Sequence, residues 1–241
     1  MTSKSSSQTN PSQASAVTVD SRWKSLYKTG GAAALTVLVF IPIQMIVFFV
    51  WPPPSTVIGW FTLFQGNALV GLLDMDLLLI VDYTLMGMVF LALWAALRRA
   101  SQSFMTIALT LELMGVTTYF ASTAAFEMLS LSNHYAAATT DAERSTFLAA
   151  GQAMLATWQG TAFNVSYILG AVALLIVSVV MLHSHVFSKA TAYVGILAGV
   201  LMFVPPTAGT IGILFSLISL VPTMIWLILI ARRLFQLGRL E

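Results

Sequence analysis

Two acidic residues lie inside long apolar segments of this chain, where ionisable side chains are rare. Asp82 lies in the apolar segment that ends before Arg98, and Glu112 lies in the next one. A carboxylate at the centre of a membrane helix costs roughly 2.5–3.5 kcal/mol to insert, so such residues usually face a bundle interior or a water-filled cavity. Both residues are therefore candidates for binding a ligand or a proton.

Neither acid has a basic residue at its own depth. No Lys or Arg occurs at positions 29–97 or at positions 100–143. Three states would satisfy the two carboxyl groups: they are protonated, they contact water in an open cavity, or they hold a cation or cationic substrate. A structural alternative stays open, in which Asp82 meets headgroup water and a neutral Glu112 hydrogen-bonds to a neighbouring helix.

Three other polar side chains reach the same depths in neighbouring apolar segments. With a rise of about 1.5 Å per residue, Tyr119 and Asn164 lie near the level of Asp82. By the same counting, Tyr167 lies near the level of Glu112. Helical spacing puts Glu112 and Tyr119 on one helix face, and Asn164 and Tyr167 on one face of another helix. We predict that these five residues form a ligand or cation site, and we assign no catalytic residue and no cofactor.

A spaced set of aspartates precedes Asp82 in what reads as an outer segment. The pattern Asp74-x-Asp76-x5-Asp82 resembles motifs that hold magnesium and diphosphate in membrane prenyl-transferring enzymes, since hard cations favour several oxygen ligands. On a regular helix Asp74 and Asp76 point about 200° apart, so they share a metal only if the segment is irregular. His183 and His185 lack a third ligand nearby and are expected to be solvated. We therefore predict no metal site.

The composition of the chain is that of a membrane protein. Of its 241 residues, 58% are hydrophobic and 8% are charged, whereas soluble domains are typically about half apolar and about a quarter charged. Cysteine is absent, which excludes disulfides, thiolate metal sites and a cysteine nucleophile. The pI near 9.0 reflects basic residues in short juxtamembrane segments, where they meet anionic headgroups. We therefore expect the lipid bilayer, and not nucleic acid, as the partner.

Six apolar segments are close enough to the length that crosses a hydrocarbon layer of about 30 Å. They lie at 30–51, 77–97, 103–126, 157–182, 188–205 and 208–231. With this count, ten of the eleven Lys and Arg residues fall on one side of the membrane. Because basic residues favour the cytoplasmic side, an all-α bundle of six transmembrane helices is predicted, with both termini inside.

The segment after the first span is apolar but is not predicted to cross the membrane. Counting 57–73 as a seventh span would carry Arg98 and Arg99 to the outer side and would reverse every later segment. The prolines at 52–54 cannot continue the first helix. An interfacial or re-entrant segment is therefore predicted here.

A surface helix is predicted on the outer side before the fourth span. The sequence from Thr140 to Glu143 matches a capping box, in which the Thr hydroxyl and the Glu carboxylate accept hydrogen bonds from free amides at a helix start. Apolar residues then recur at helical spacing as far as Trp158. This pattern predicts an amphipathic helix on the outer membrane surface or at the mouth of the bundle, with a mobile lid as the alternative.

Three regions follow from the whole pattern: a disordered cytoplasmic tail at 1–29, a six-helix transmembrane domain at 30–235 and a cytoplasmic C-terminal end at 236–241. The loop sequence HVFSKATAYVGILAG, residues 185–199, together with the six-span layout and the acidic residue early in span two, resembles a family of uncharacterised bacterial membrane proteins defined as a domain of unknown function. The resemblance covers about residues 30–235. It implies six spans and the bacterial inner (plasma) membrane, and it assigns no site residue.

Three functions remain open from the sequence. The first is binding or transport of a small molecule, a proton or a cation, because Asp82 and Glu112 lack basic partners beneath an acidic outer side. The second is a membrane-embedded enzyme acting on a lipid or isoprenoid, with Asp82, Glu112 or Tyr167 as acid or base. The third is a structural or partner-binding subunit. The sequence leaves the oligomeric state undecided.

Overall fold

Ten α-helices make up most of the range that the computed structural model describes, residues 21–239. They are α1 (Lys24–Val50), α2 (Val57–Gly66), α3 (Ala68–Leu72), α4 (Leu78–Leu97), α5 (Gln102–Phe120), α6 (Ala125–Ala137), α7 (Asp141–Trp158), α8 (Thr161–Leu182), α9 (Lys189–Leu201) and α10 (Gly209–Arg239). A π-helical turn, Leu73–Leu77, joins α3 to α4. No strand occurs in this range, so the predicted all-helical class is confirmed.

Five helical stretches of the described range are long and apolar enough to cross a membrane. They are Lys24–Val50, Ala68–Leu97, Gln102–Ala137, Asp141–Leu182 and Gly209–Arg239. The fifth predicted span, 188–205, is not among them, because it contains only the 13 residues of α9 as helix. At about 1.5 Å per residue, 13 residues reach roughly 20 Å, which is less than the hydrocarbon thickness.

Both predicted terminal regions overlap with helix. Helix α1 begins at Lys24, so the last six residues of the predicted tail 1–29 are helical, while residues 1–20 of that tail lie outside the described residues. Helix α10 continues to Arg239 and therefore includes most of the predicted C-terminal end 236–241. Tertiary packing explains both extensions, because Gly238 lies against Lys28 and the backbone of Lys24.

Six helices form a closed ring that we call the bundle. In ring order they are α1, α4, α5, α8, α9 and α10, and α10 packs back against α1. One end of the bundle, which we call the basic end, brings together Arg98 and Arg233: the Arg98 guanidinium lies 5.2 Å from the ring centre of Trp23, and Arg233 donates a hydrogen bond to the carbonyl of Val186. The large apolar core of the bundle extends to this end, and α4, α8 and α10 contribute most of its buried residues.

The bundle is tightest toward the basic end and looser away from it. The buried residues of α1 all lie between Tyr27 and Val37, whereas Phe49 near its other end is 87% exposed. Glycines allow the close approach: a side chain at Gly195 of α9 would overlap the Ser178 hydroxyl of α8 and the Trp226 indole of α10. Apolar exposure at the opposite end of α1 is what a lipid-facing surface requires.

The remaining helices form a second unit at the other end of the bundle. We call this unit, made of α2, α3, α6 and α7, the cap. It has an apolar core of its own, in which Trp60 and Phe61 of α2 meet Met128 of α6 and Met75 of the π turn. Trp158 at the end of α7 packs edge-on against Trp60, with ring centres 5.6 Å apart.

Two cap helices test the predictions for the outer segments. Helix α7 begins at Asp141 with both hydrogen bonds of the capping box between Thr140 and Glu143, so that prediction is confirmed. Helix α2 has only ten residues and ends at Gly66, so it is too short to span, whereas residues 68–73 of the predicted segment 57–73 belong to the helical stretch Ala68–Leu97. The sequence analysis did not predict α6, because it extended the third span as far as residue 126.

Candidate functional site

Asp76 lies where the cap meets the bundle, and its side chain is fully buried. Its Oδ2 atom accepts hydrogen bonds from the backbone amides of Ala124 (2.7 Å) and Ala125 (2.9 Å) at the start of α6. Its Oδ1 atom accepts from the Trp158 indole (2.9 Å) and from the Tyr119 hydroxyl (3.4 Å). Asp76 thus has the donors that a buried carboxylate needs, and it supplies the acceptor that the first amides of α6 need.

Asp74 and Asp76 correct the sequence interpretation of this segment. They were expected in an exposed outer segment, but both are buried, at 1% and 0% exposure. The segment is a π turn that continues into α4, and the cap covers it. The irregularity that a shared metal would require is therefore present, but Asp76 already accepts four hydrogen bonds from the protein.

Asp82 and Glu112 come from neighbouring helices and lie within electrostatic range of each other. Asp82 is the fifth residue of α4, and its Oδ1 atom is buried with no hydrogen-bond donor among residues 21–239. Glu112 is the eleventh residue of α5 and is 5% exposed. The structure therefore brings together the two acids that the sequence singled out, as an acidic pair inside the bundle.

Tyr83 connects the acidic pair to the aspartate of the cap boundary. Its ring stacks on that of Tyr119, with centres 4.0 Å apart and planes 3° apart. Its hydroxyl lies near Ser166 and within electrostatic range of Glu112 and Asp82. Since Tyr119 donates to Asp76, a continuous set of polar and aromatic side chains runs from the cap boundary to the acidic pair.

The predicted polar face of α5 packs against α8, but it does not meet the predicted face of Asn164 and Tyr167. Glu112 lies beside Gly170, where the Glu112 Oε2 atom would be 3.8 Å from a side chain placed on that glycine. One turn further, Gly115 fits against the backbone of Ser166. Tyr119 then lies near Phe163, with ring centres 6.4 Å apart. The antiparallel packing of the two helices produces this ladder.

Tyr167 lies on α8 between the acidic pair's surroundings and α10. Its hydroxyl lies near those of Ser216 and Ser219 on α10. The Tyr167 hydroxyl is also within electrostatic range of Tyr83. Four helices of the bundle, α4, α5, α8 and α10, therefore contribute polar side chains to one region beneath the cap.

Asn164 has a different set of partners from the other predicted residues. Its amide nitrogen donates to the carbonyl of Gly160 (2.8 Å), and its amide oxygen accepts from the Thr207 hydroxyl. These bonds tie the start of α8 to the segment between α9 and α10. The depth argument put Asn164 level with Asp82, but equal depth does not decide which way a helix face points.

No cluster of three or more His, Asp or Glu side chains suited to a metal ion occurs in the described part of the chain. His183 contacts the carbonyl of Val179 within its own helix, through its Nδ1 atom at 3.0 Å. Two carboxyl groups without a third ligand suit a proton or a weakly held cation better than a divalent metal. Asp74, Asp76 and Asp82 do not form such a cluster in the described range.

Two members of the site were missed by sequence reasoning, Tyr83 and Ser166. Tyr83 follows Asp82 directly, so a polar aromatic residue at the same depth was the available signal. Ser166 precedes Tyr167 and is 1% exposed, and its hydroxyl bonds to the carbonyl of Phe163 (2.8 Å). The site can exchange protons and hold a small cation through carboxyl and hydroxyl oxygens. Comparison with known protein families, with curated proteins and with solved structures found no match, so its interpretation rests on this geometry.

Proposed function

We propose that this chain is a multipass membrane protein that binds, and transports, a proton or a small cation at Asp82 and Glu112. The observation that carries the proposal is the acidic pair itself. Two carboxyl groups from adjacent helices lie within range of each other inside the bundle, and an oxygen of Asp82 is buried without a donor. No Lys or Arg in either helical segment can neutralise them.

Two acids buried near each other favour the binding of a positive charge, because ionising both of them without one costs free energy. An ionised carboxylate buried without a partner costs several kcal/mol, and a second acid nearby adds to that cost. Binding of a proton or a cation removes both the cost of burial and the repulsion between the two acids. The surrounding hydroxyl groups of Tyr83, Tyr167 and Ser166 offer hydrogen bonds. Membrane proteins retain such acids mainly along ion or proton pathways.

We also propose six crossings, with both termini on the cytoplasmic side of a bacterial inner membrane. The grouping of Arg98 and Arg233 at the basic end supports this orientation, because basic residues favour the cytoplasm. The bond from Thr207 to Asn164 supports a crossing by α9: the chain leaves α8 at Leu182 and has returned to the start of α8 by Thr207. Helix α9 and the residues after it therefore extend together along the length of α8.

Single-cysteine labelling tests the topology, and the absence of native cysteine makes each engineered residue the only target. We expect Ser145→Cys on α7 to react with an impermeant maleimide from outside intact cells. We expect His185→Cys, between α8 and α9, to react only after the membrane is permeabilised. Both side chains are exposed on the protein, so only the membrane determines whether the reagent reaches them. Labelling of both positions from outside would contradict the six-span topology.

Reconstituted vesicles test the binding site. We expect Asp82→Asn and Glu112→Gln each to abolish proton or cation flux driven by an imposed gradient, because each removes one charge that balances the ligand. Glu127→Gln is the matched control, since Glu127 is an exposed acid on α6. Flux that is the same in all three variants as in the wild-type protein would rule the proposal out.

A further inference from the structure

Asp74 is a buried acid that the proposed site leaves unused. Its side chain is 1% exposed, and neither of its carboxyl oxygens has a hydrogen-bond donor among the described residues. Asp76, two positions away on the same turn, accepts four hydrogen bonds. Because buried polar groups are nearly always satisfied, the carboxyl group of Asp74 needs a partner from outside the described residues.

The elements packed against the π turn offer Asp74 no cation. Helices α1, α3, α4 and α6 pack against this turn, and Tyr119 of α5 and Trp158 of α7 reach it through Asp76. Helix α5 adds the ionisable residues Glu112 and Tyr119. The charged residues of α7 are exposed and lie at its start, at least 14 residues before Trp158: Asp141, Glu143 and Arg144. Helix α3 has no ionisable side chain, and those of α1 are confined to its first five residues, at the basic end. The ionisable residues of α4 and α6 are Asp82, Tyr83, Glu127, His134 and Tyr135, of which Glu127 and His134 are exposed. Within these elements, no basic side chain near Asp74 can stabilise its ionised form.

The π turn also changes the direction in which Asp74 points. Eight residues of regular α-helix would leave Asp74 and Asp82 about 80° apart around the axis. A π turn accommodates one extra residue, which reduces the angle to about 20°. The two acids then share one helix face, with Asp74 about two turns nearer to the cap. Such π turns occur frequently at functional sites.

We propose that Asp74 is a second proton-binding carboxyl group on the face of Asp82, and that the ligand of the site is a proton. In the binding step an O–H bond forms on a carboxylate oxygen of Asp74 with a proton taken from water, which leaves hydroxide in the solvent. This inference rests on the proposed function, in which the ligand is a proton or a small cation, and it selects the proton. The lack of a metal-binding cluster in the described range favours the same choice.

Infrared spectroscopy of the full-length protein in lipid nanodiscs tests this inference. Protonated carboxyl groups give a C=O band that ionised carboxylates lack, and the band shifts in heavy water. We expect Asp74→Asn to remove one component of this band at neutral pH. Glu127→Gln, at an exposed acid, should leave the band unchanged. A band that is identical in Asp74→Asn and in the wild-type protein would show that Asp74 is ionised, and would overturn the inference.

Two further variants separate this inference from the proposed function. Loss of band components in Asp82→Asn or Glu112→Gln, with none in Asp74→Asn, would refute the role of Asp74 and leave the acidic pair standing. Loss in Asp74→Asn alone would support Asp74 and contradict proton binding at the pair. If Asp74→Asn does not fold, Asp74→Glu retains a carboxyl group and should shift the component without removing it; an unshifted band would overturn the inference.

Discussion

Asp76 and Asp74 are two residues apart on one π turn and are equally buried, yet their surroundings differ completely. Asp76 faces the cap, where four donors from three helices surround its carboxylate. Asp74 has no donor for either oxygen in the described range. Burial of an acid in an apolar segment is therefore not by itself a sign of function. The number of donors around the carboxylate separates an acid that holds the fold together from one available to a ligand.

The same distinction divides the cap boundary from the interior of the bundle. At the boundary, Asp76 replaces the local cap that α6 lacks, because Ala124 has no side-chain hydrogen-bonding group. Inside the bundle, Asp82 and Glu112 lie near each other and near hydroxyl groups. The stacked rings of Tyr83 and Tyr119 join the two regions.

Asp76→Asn should produce the largest loss of stability. An amide can accept hydrogen bonds at only one of its two terminal atoms, so two of the four donors lose their acceptor. We expect the free energy of unfolding to fall by about 3–5 kcal/mol, in the range for breaking a buried charged interaction. Titration with a denaturing detergent, followed by circular dichroism, measures this change. A loss below that of the Trp158 variant described next would show that Asp76 is not the main link between cap and bundle.

Trp158→Phe should have an intermediate effect. The substitution keeps an aromatic ring against Trp60 but removes the indole donor to Asp76. Because a hydrogen bond to a charged group contributes roughly 1.5–3 kcal/mol, we expect a loss of about 2 kcal/mol. The effect should disappear in the Asp76→Asn background if the two residues act through this bond. Equal losses in both backgrounds would assign the effect to ring packing.

Thr140→Ala should have a smaller effect, confined to the cap. Glu143 is an exposed acid whose donors are local: the backbone amides of Thr139 (2.9 Å) and Thr140 (3.1 Å). Loss of the Thr140 hydroxyl removes the other half of this capping box, which costs about 1 kcal/mol. Hydrogen exchange at the first turn of α7 should increase. Thr146→Ala is the control, since its hydroxyl bonds within the helix.

Asp74→Asn should have the smallest effect on stability. No hydrogen bond from the described protein is lost, and the amide has nearly the same shape, so we expect a change within about 0.5 kcal/mol. The same denaturing titration, run beside Asp76→Asn, compares one substitution at two neighbouring positions. A loss as large as that of Asp76→Asn would mean that Asp74 also has a structural role.

The sequence alone determined the helical class of the protein and singled out the two acids that the structure brings near each other. Apolar length and composition predicted a helical chain with stretches long and apolar enough to cross a membrane, and the capping box located the start of α7. Helical spacing brought Glu112 and Tyr119 onto the face that meets α8. These features depend on local chemistry and on one helix at a time, and the lack of basic residues beside Asp82 is a property of composition.

Only the tertiary structure decided which acids are satisfied. The backbone amide of Ala124 at the start of α6 finds its acceptor in Asp76, 48 residues earlier in the chain, and residues of the π turn are buried where the cap packs on the bundle. The orientation of Asn164 toward Thr207, and not toward Asp82, depends on the helices packed around α8. Hydrogen bonds between distant residues and the rotation of each helix about its axis are set by packing, which no periodicity within a single segment records.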